Sequence, residues 1–142
     1  MKNPFSIGDK KVFETTVTES KLARFDAGLV HPVYSTFALG KDVEWACRLF
    51  VLEMKEEGEE GVGASLTINH LYPAPLDSRV RIEATLDAVN GNEVICSYQV
   101  FANGYVVAEG TQTQKILNHA RFRKLIDQIK TEAETNGQEE KR

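Results

Sequence analysis

The chain has 142 residues, 42% of them hydrophobic and 27% charged, with a formal net charge of -4. A chain of this length buries ~68% of its unfolded surface, enough for a core without metal or disulfide staples, so one domain over residues 1–142 is expected. With no Lys/Arg-rich block the sequence argues against a nucleic-acid partner, and with no apolar run long enough to cross a bilayer it argues against a membrane partner.

Met1-Lys2-Asn3-Pro4-Phe5-Ser6 lacks the apolar stretch of a secretory signal, which makes the cytoplasm the expected compartment. Residues 11–18 alternate and are rich in β-formers, so they predict a first strand. Residues 20–31 show no sustained period and read as a loop or lid. Gly40 then precedes a helix in which Val43, Ala46, Cys47, Phe50, Val51 and Met54 recur at helical spacing. Glu44 opens this helix. Between Trp45 and Leu52 only Arg48 is polar, so burial on most sides is expected, with the carboxylate at the edge of the core. The helix ends near residues 55–61.

Strand patterns follow. Ala64, Leu66, Ile68 and His70 share one face of the first, the face expected to meet the helix. Val80, Ile82, Ala84, Leu86 and Ala88 share one face of the second, and Val94, Cys96, Tyr98 and Val100 one face of the third. Asn90-Gly91 and Asn103-Gly104 supply positive-φ residues for tight hairpins, which joins the last three strands, ending near residue 117, into an antiparallel meander. Asn118 is placed to cap a final helix lined by Phe122, Leu125, Ile126 and Ile129, and residues 132–142 read as a disordered tail. The predicted class is α+β, a curved antiparallel sheet wrapped around a long central helix. Its open edges predict a homodimer through sheet edges, with a tetramer as the next assembly.

Three residues carry candidate chemistry. His70 is either a satisfied core histidine or a proton-transfer group. Glu44 is either favoured by the helix dipole alone or is a carboxylate raised in pKa by apolar surroundings. The Thr36 hydroxyl is either a helix cap or a bond to substrate, water or carboxylate. On one continuous helix Thr36 and Glu44 would lie ~12 Å apart, so either the helix begins between them or they address different parts of a ligand.

Other patterns are weaker. Gly61-Val62-Gly63 precedes a strand and is not a nucleotide fingerprint, although Gly63 allows close ligand approach. His31, His70 and His119 lack metal-ligand spacing, so no metal is expected. Cys47 and Cys96 read as reduced packing thiols. Ser65 lacks a nucleophile elbow, and Cys47 lacks a visible histidine partner.

From Thr36 through Glu44-Trp45-Ala46-Cys47, Gly63 and His70 to Gly110-Thr111 and Phe122, the chain resembles the hotdog-fold thioesterases, most closely the fluoroacetyl-CoA thioesterase branch. The resemblance implies a Thr36, Glu44, His70 catalytic group, a glycine near the thioester at Gly63, and an acyl-CoA substrate with no separate cofactor. It also marks two departures. An arginine of that branch falls at Gln114 here, and a phenylalanine-rich lid is replaced by Val30-His31-Pro32-Val33-Tyr34. The substrate contacts it suggests are Gly63, Gln114, Tyr34 and Phe37.

In this reading Glu44 either activates water or attacks the carbonyl, His70 moves protons, and Thr36 orients the carboxylate or acyl group. Backbone N–H groups at the helix start would hold the oxyanion. Lys115, Arg121, Arg123 and Lys124 are available for CoA phosphates without any one being assigned. Two rivals stand beside hydrolysis: an enoyl-CoA hydratase-like reaction, and a non-catalytic module that binds an acyl thioester.

Overall fold

Alternation dictates the sheet. Val80, Ile82, Ala84 and Leu86 of one strand and Val94, Cys96, Tyr98 and Val100 of the next are all buried, while the residues between them face outward. The computed structural model describes residues 1–136. Its strands are β1 (Lys10–Thr16), β2 (Leu22–Phe25), β3 (Gly28–Tyr34), β4 (Glu59–Leu66), β5 (Asn69–His70), β6 (Arg79–Asn90), β7 (Glu93–Ala102) and β8 (Tyr105–Asn118). Two α-helices, α1 (Thr36–Met54) and α2 (His119–Asn136), and a short 3-10 turn over Glu19–Lys21 are the helical elements among the described residues. The main sheet runs β1-β6-β7-β8-β4, with β5 also on β8 and each pairing antiparallel.

The sheet curls around α1, which packs against β1, β4, β6, β7 and β8. This is the expected α+β architecture. Asn103 and Gly104, at φ 54° and 80°, close the β7–β8 hairpin in the left-handed region that suits its twist. Leu39, Val43, Ala46, Cys47, Phe50 and Met54 form the buried stripe of α1, and free Cys47 and Cys96 lie in that core.

Four expectations are corrected. Residues 20–31, read as a loop or lid, contribute instead to a hairpin of β2 and β3 whose register shifts twice. The helix begins at Thr36, not after Gly40, because the Ser35 hydroxyl accepts the Ala38 amide at 3.0 Å and caps it. Gly40 belongs inside the helix, since a Cβ there would come within 3.1 Å of Ile68 Cδ1 and 3.3 Å of Leu66 Cδ2, which fold over it. Glu44 is therefore mid-helix. The helix is also not buried all round: Phe37, Lys41, Glu44, Trp45 and Leu52 leave one face exposed. Finally, α2 continues through Asn136, so residues 132–136 are helical, and the rest of the expected tail, 137–142, lies outside the described residues.

Arg48 fastens α1 to β4, donating from Nη2 to Glu60 at 2.6 Å and from Nη1 to the Gly61 carbonyl at 3.2 Å. Among the described residues no helix is long and apolar enough to cross a membrane.

Candidate active site

His70 is positioned by a chain crossing pinned to β8. Between β4 and β5, the Thr67 amide donates to the Thr111 carbonyl at 2.9 Å, and its hydroxyl accepts the Thr111 amide at 2.8 Å. The Tyr98 hydroxyl donates to the Thr67 carbonyl at 2.6 Å. Gly110 permits this closeness, since a Cβ there would meet the Thr67 carbonyl oxygen at 2.1 Å. Three residues after Thr67, His70 pairs with Ala108 and turns its imidazole toward the start of α1.

There the Thr36 hydroxyl lies 3.0 Å from His70 Nδ1. Because Ser35 supplies the cap, the Thr36 hydroxyl is free for this bond. Burial holds the imidazole pKa below the ordinary histidine value, opposed by the Tyr72 backbone. Nε2 is buried without a hydrogen-bond partner among the described residues. A neutral imidazole beside a hydroxyl can take up a proton from it. The pair borders an open cleft of about 290 Å3 also lined by His31, Val33, Tyr34 and Tyr72.

Glu44 occupies a second place. Its Oε1 accepts from Gln112 Nε2 at 3.3 Å and lies over Gly63, where a Cβ would approach to 2.2 Å. The close approach expected of a ligand at Gly63 is thus made by the Glu44 carboxylate. Because the helix from Thr36 is unbroken, eight residues of 1.5 Å rise separate Thr36 and Glu44 by ~12 Å along its axis. The single chain therefore joins Thr36 to His70 but holds Glu44 apart. The mid-helix position of Glu44 also removes it from the N–H groups exposed at the helix start.

The expected substrate contacts distribute unevenly. Tyr34 is buried, its hydroxyl donating to Asp42 in a short bond, while its ring borders the Thr36–His70 cleft. Phe37, 88% exposed, lines a different cavity of about 820 Å3 between the β2–β3 hairpin and α1, together with Lys21, Arg24, Phe25 and Lys41. Gln114 is buried, donating to the Glu44 carbonyl at 3.2 Å and to Gln112 Oε1 at 3.1 Å.

Two residues at these places escaped sequence reasoning. Gln112 stands in phase with Ile116 on the inward face of β8, where a polar residue is a signal in itself. Tyr72 falls in a segment without clear periodicity. Among the described residues no group of three or more His, Cys, Asp or Glu side chains is arranged to hold a metal ion.

The family of fluoroacetyl-CoA-specific thioesterases matches residues 17–120. The chain belongs to that family. A hypothetical protein of Thermus thermophilus, described as a thioesterase superfamily member, is 36% identical over 93% of this chain and 98% of its own, with a TM-score of 0.88. A phenylalanine-to-alanine mutant of the fluoroacetyl-CoA-specific thioesterase shares the fold at TM-score 0.83 and 20% identity, covering 89% of this chain and 98% of its own. A hot-dog-like protein from Thermanaerovibrio acidaminovorans does so at TM-score 0.80 and 24% identity, covering 87% and 92%. No curated protein sequence matches. The thioesterase is accordingly a hotdog-fold acyl-CoA thioester hydrolase.

Proposed function

We propose that the thioesterase hydrolyses its acyl-CoA with Thr36 and His70 handling the proton and Glu44 supplying the reacting carboxylate, the two halves meeting between two copies of the chain. The observation that carries this reading is the 3.0 Å bond between the Thr36 hydroxyl and His70 Nδ1, beside a cleft and separate from Glu44. The face around Glu44 supports the assembly. Phe37 is 88% exposed, Trp45 42% and Leu66 40%, and β4 is the terminal strand of its sheet. Pairing this edge with a second copy would cover those apolar side chains and bring another Thr36–His70 pair toward Glu44.

In this arrangement Glu44 either takes a proton from the water that attacks the thioester carbonyl, a proton that His70 relays to the departing thiolate, or adds to that carbonyl itself. Addition expels the thiolate and forms an anhydride that water then cleaves, while His70 takes that water's proton and passes it to the thiolate. Thr36 fixes the imidazole. Gly63 lets the carboxylate stand close to β4, with substrate alongside. CoA enters only as part of the substrate, and the two buried free cysteines accord with a cytoplasmic setting.

Thiol release across short, aromatic and long acyl-CoAs tests the reading. The expected result is free CoA from at least one of them, abolished by Glu44→Ala and by His70→Ala. Turnover without CoA release would favour hydration of an enoyl thioester, and binding without turnover would favour a carrier of acyl thioesters. Single turnover in isotopically labelled water separates the two routes for Glu44, since only covalent addition leaves solvent oxygen in its side chain.

A further inference from the structure

We propose that Gln112 is a positioning residue that aims the Glu44 carboxylate, and that Gln114 dictates which end of the Gln112 amide does so. Both lie on the inward face of β8, at 1% and 2% exposure, among Ile116, Val94 and Cys96 of the core. Burying two amides beneath a helix is unfavourable unless their hydrogen bonds are made. Here they are made in a directional series.

The direction starts from the Glu44 backbone carbonyl, which can only accept. Gln114 must therefore present its NH2 group, which donates to that carbonyl at 3.2 Å and to Gln112 Oε1 at 3.1 Å. With its oxygen so engaged, Gln112 turns its own NH2 group outward, to the Thr113 carbonyl at 3.3 Å and Glu44 Oε1 at 3.3 Å. Flipping Gln112 would set oxygen against carboxylate and NH2 against NH2, and flipping Gln114 would set oxygen against the helix carbonyl. Each amide fixes the next.

The outcome at Glu44 is a donor and nothing else, which suits an ionised carboxylate. Gly63 bounds the same oxygen from β4, so the reacting group is held between an amide and a strand backbone. Neither glutamine needs to touch substrate.

The proposal rests on Glu44 being the reacting carboxylate, and its test separates the two. Gln112→Met, similar in length and apolar, is expected to lower kcat about 10- to 100-fold, the worth of a hydrogen bond to a charged group, with KM within about twofold of wild type. In a Glu44→Asp background, whose shorter carboxylate falls short of Gln112, the same substitution should lower kcat by less than about threefold. Equal losses in both backgrounds, an unchanged kcat in the first, or a change confined to KM would overturn it. Should Gln112→Met fail to fold, Gln112→Leu removes both donors without adding a charge, and the same comparison applies. An undiminished kcat in Glu44→Ala would instead remove Glu44 from the chemistry, a failure of the underlying reading.

Discussion

The Thr36 hydroxyl meets His70 Nδ1 at 3.0 Å although 34 residues separate them in the chain. Two independent devices create the meeting: the Ser35 cap, which starts α1 at Thr36, and the Thr67 bonds to β7 and β8, which carry β5 across to it. Neither device involves the Thr36 or His70 side chain, so each can be altered while the pair itself is kept.

The first prediction concerns pH. Burial disfavours the charged imidazole, so His70 titrates below the ordinary 6.5. Its neutral form, able to accept a proton, therefore persists as pH falls through 6.5, and the acid limb contributed by His70 lies lower. The linked stability follows the same sign. Above 6.5 the imidazole is neutral in both states and nothing is lost. As pH falls below 6.5 the unfolded chain takes up the proton first, and the resulting destabilisation is complete once pH is below the folded-state pKa. An NMR titration of the His70 ring beside the pH-rate profile checks this, and a midpoint above 6.5 would contradict it.

Two glycines with similarly close neighbours predict opposite phenotypes. A Cβ at Gly63 would come within 2.2 Å of Glu44 Oε1, the movable end of a side chain, so Gly63→Ala pushes the carboxylate aside at little cost in stability. The expected loss is about 100-fold in kcat, the scale of a misplacement of ~1 Å, with the thermal midpoint nearly unchanged.

At Gly110 the added Cβ would meet the Thr67 carbonyl oxygen at 2.1 Å, and backbone held by three hydrogen bonds has little freedom to yield. Gly110→Ala should destabilise the fold by about 1–3 kcal/mol and lower the thermal midpoint by several degrees. Denaturant unfolding of the two variants side by side distinguishes them. Equal midpoints would show that the Thr67 crossing is softer than its bonds imply.

Much of this fold was legible because its inward positions are regular. Val80 through Leu86 and Val94 through Val100 alternate without a break, and Asn103-Gly104 names its own turn. The β2–β3 hairpin was hidden because only Leu22 and Tyr34 of it are buried, and its two register shifts erase the period. The helix start was misplaced because Gly40, Lys41 and Asp42 interrupt the apolar run, whereas the cap at Ser35 rests on one hydroxyl accepting the Ala38 amide, outside any apolar period. Thr36, Glu44 and His70 were nameable from resemblance. That Thr36 sits with His70 and Glu44 with Gln112 depended on an unbroken helix, which spacing alone left open.

The division of the site predicts complementation between dead variants. In the proposed arrangement Thr36 and Glu44, ~12 Å apart along α1 within one chain, act in one centre by coming from different copies. Glu44→Ala and His70→Ala should each be inactive alone. Refolded together in equal amounts, they pair at random, and half of the dimers carry one intact centre and one lacking both groups. The mixture should then recover about one quarter of the wild-type rate, since intact centres form at that frequency in a twofold assembly. A mixture as inactive as its components, with mixed dimers verified by mass, would place Glu44 and His70 of the same copy in one centre and require the substrate to span them.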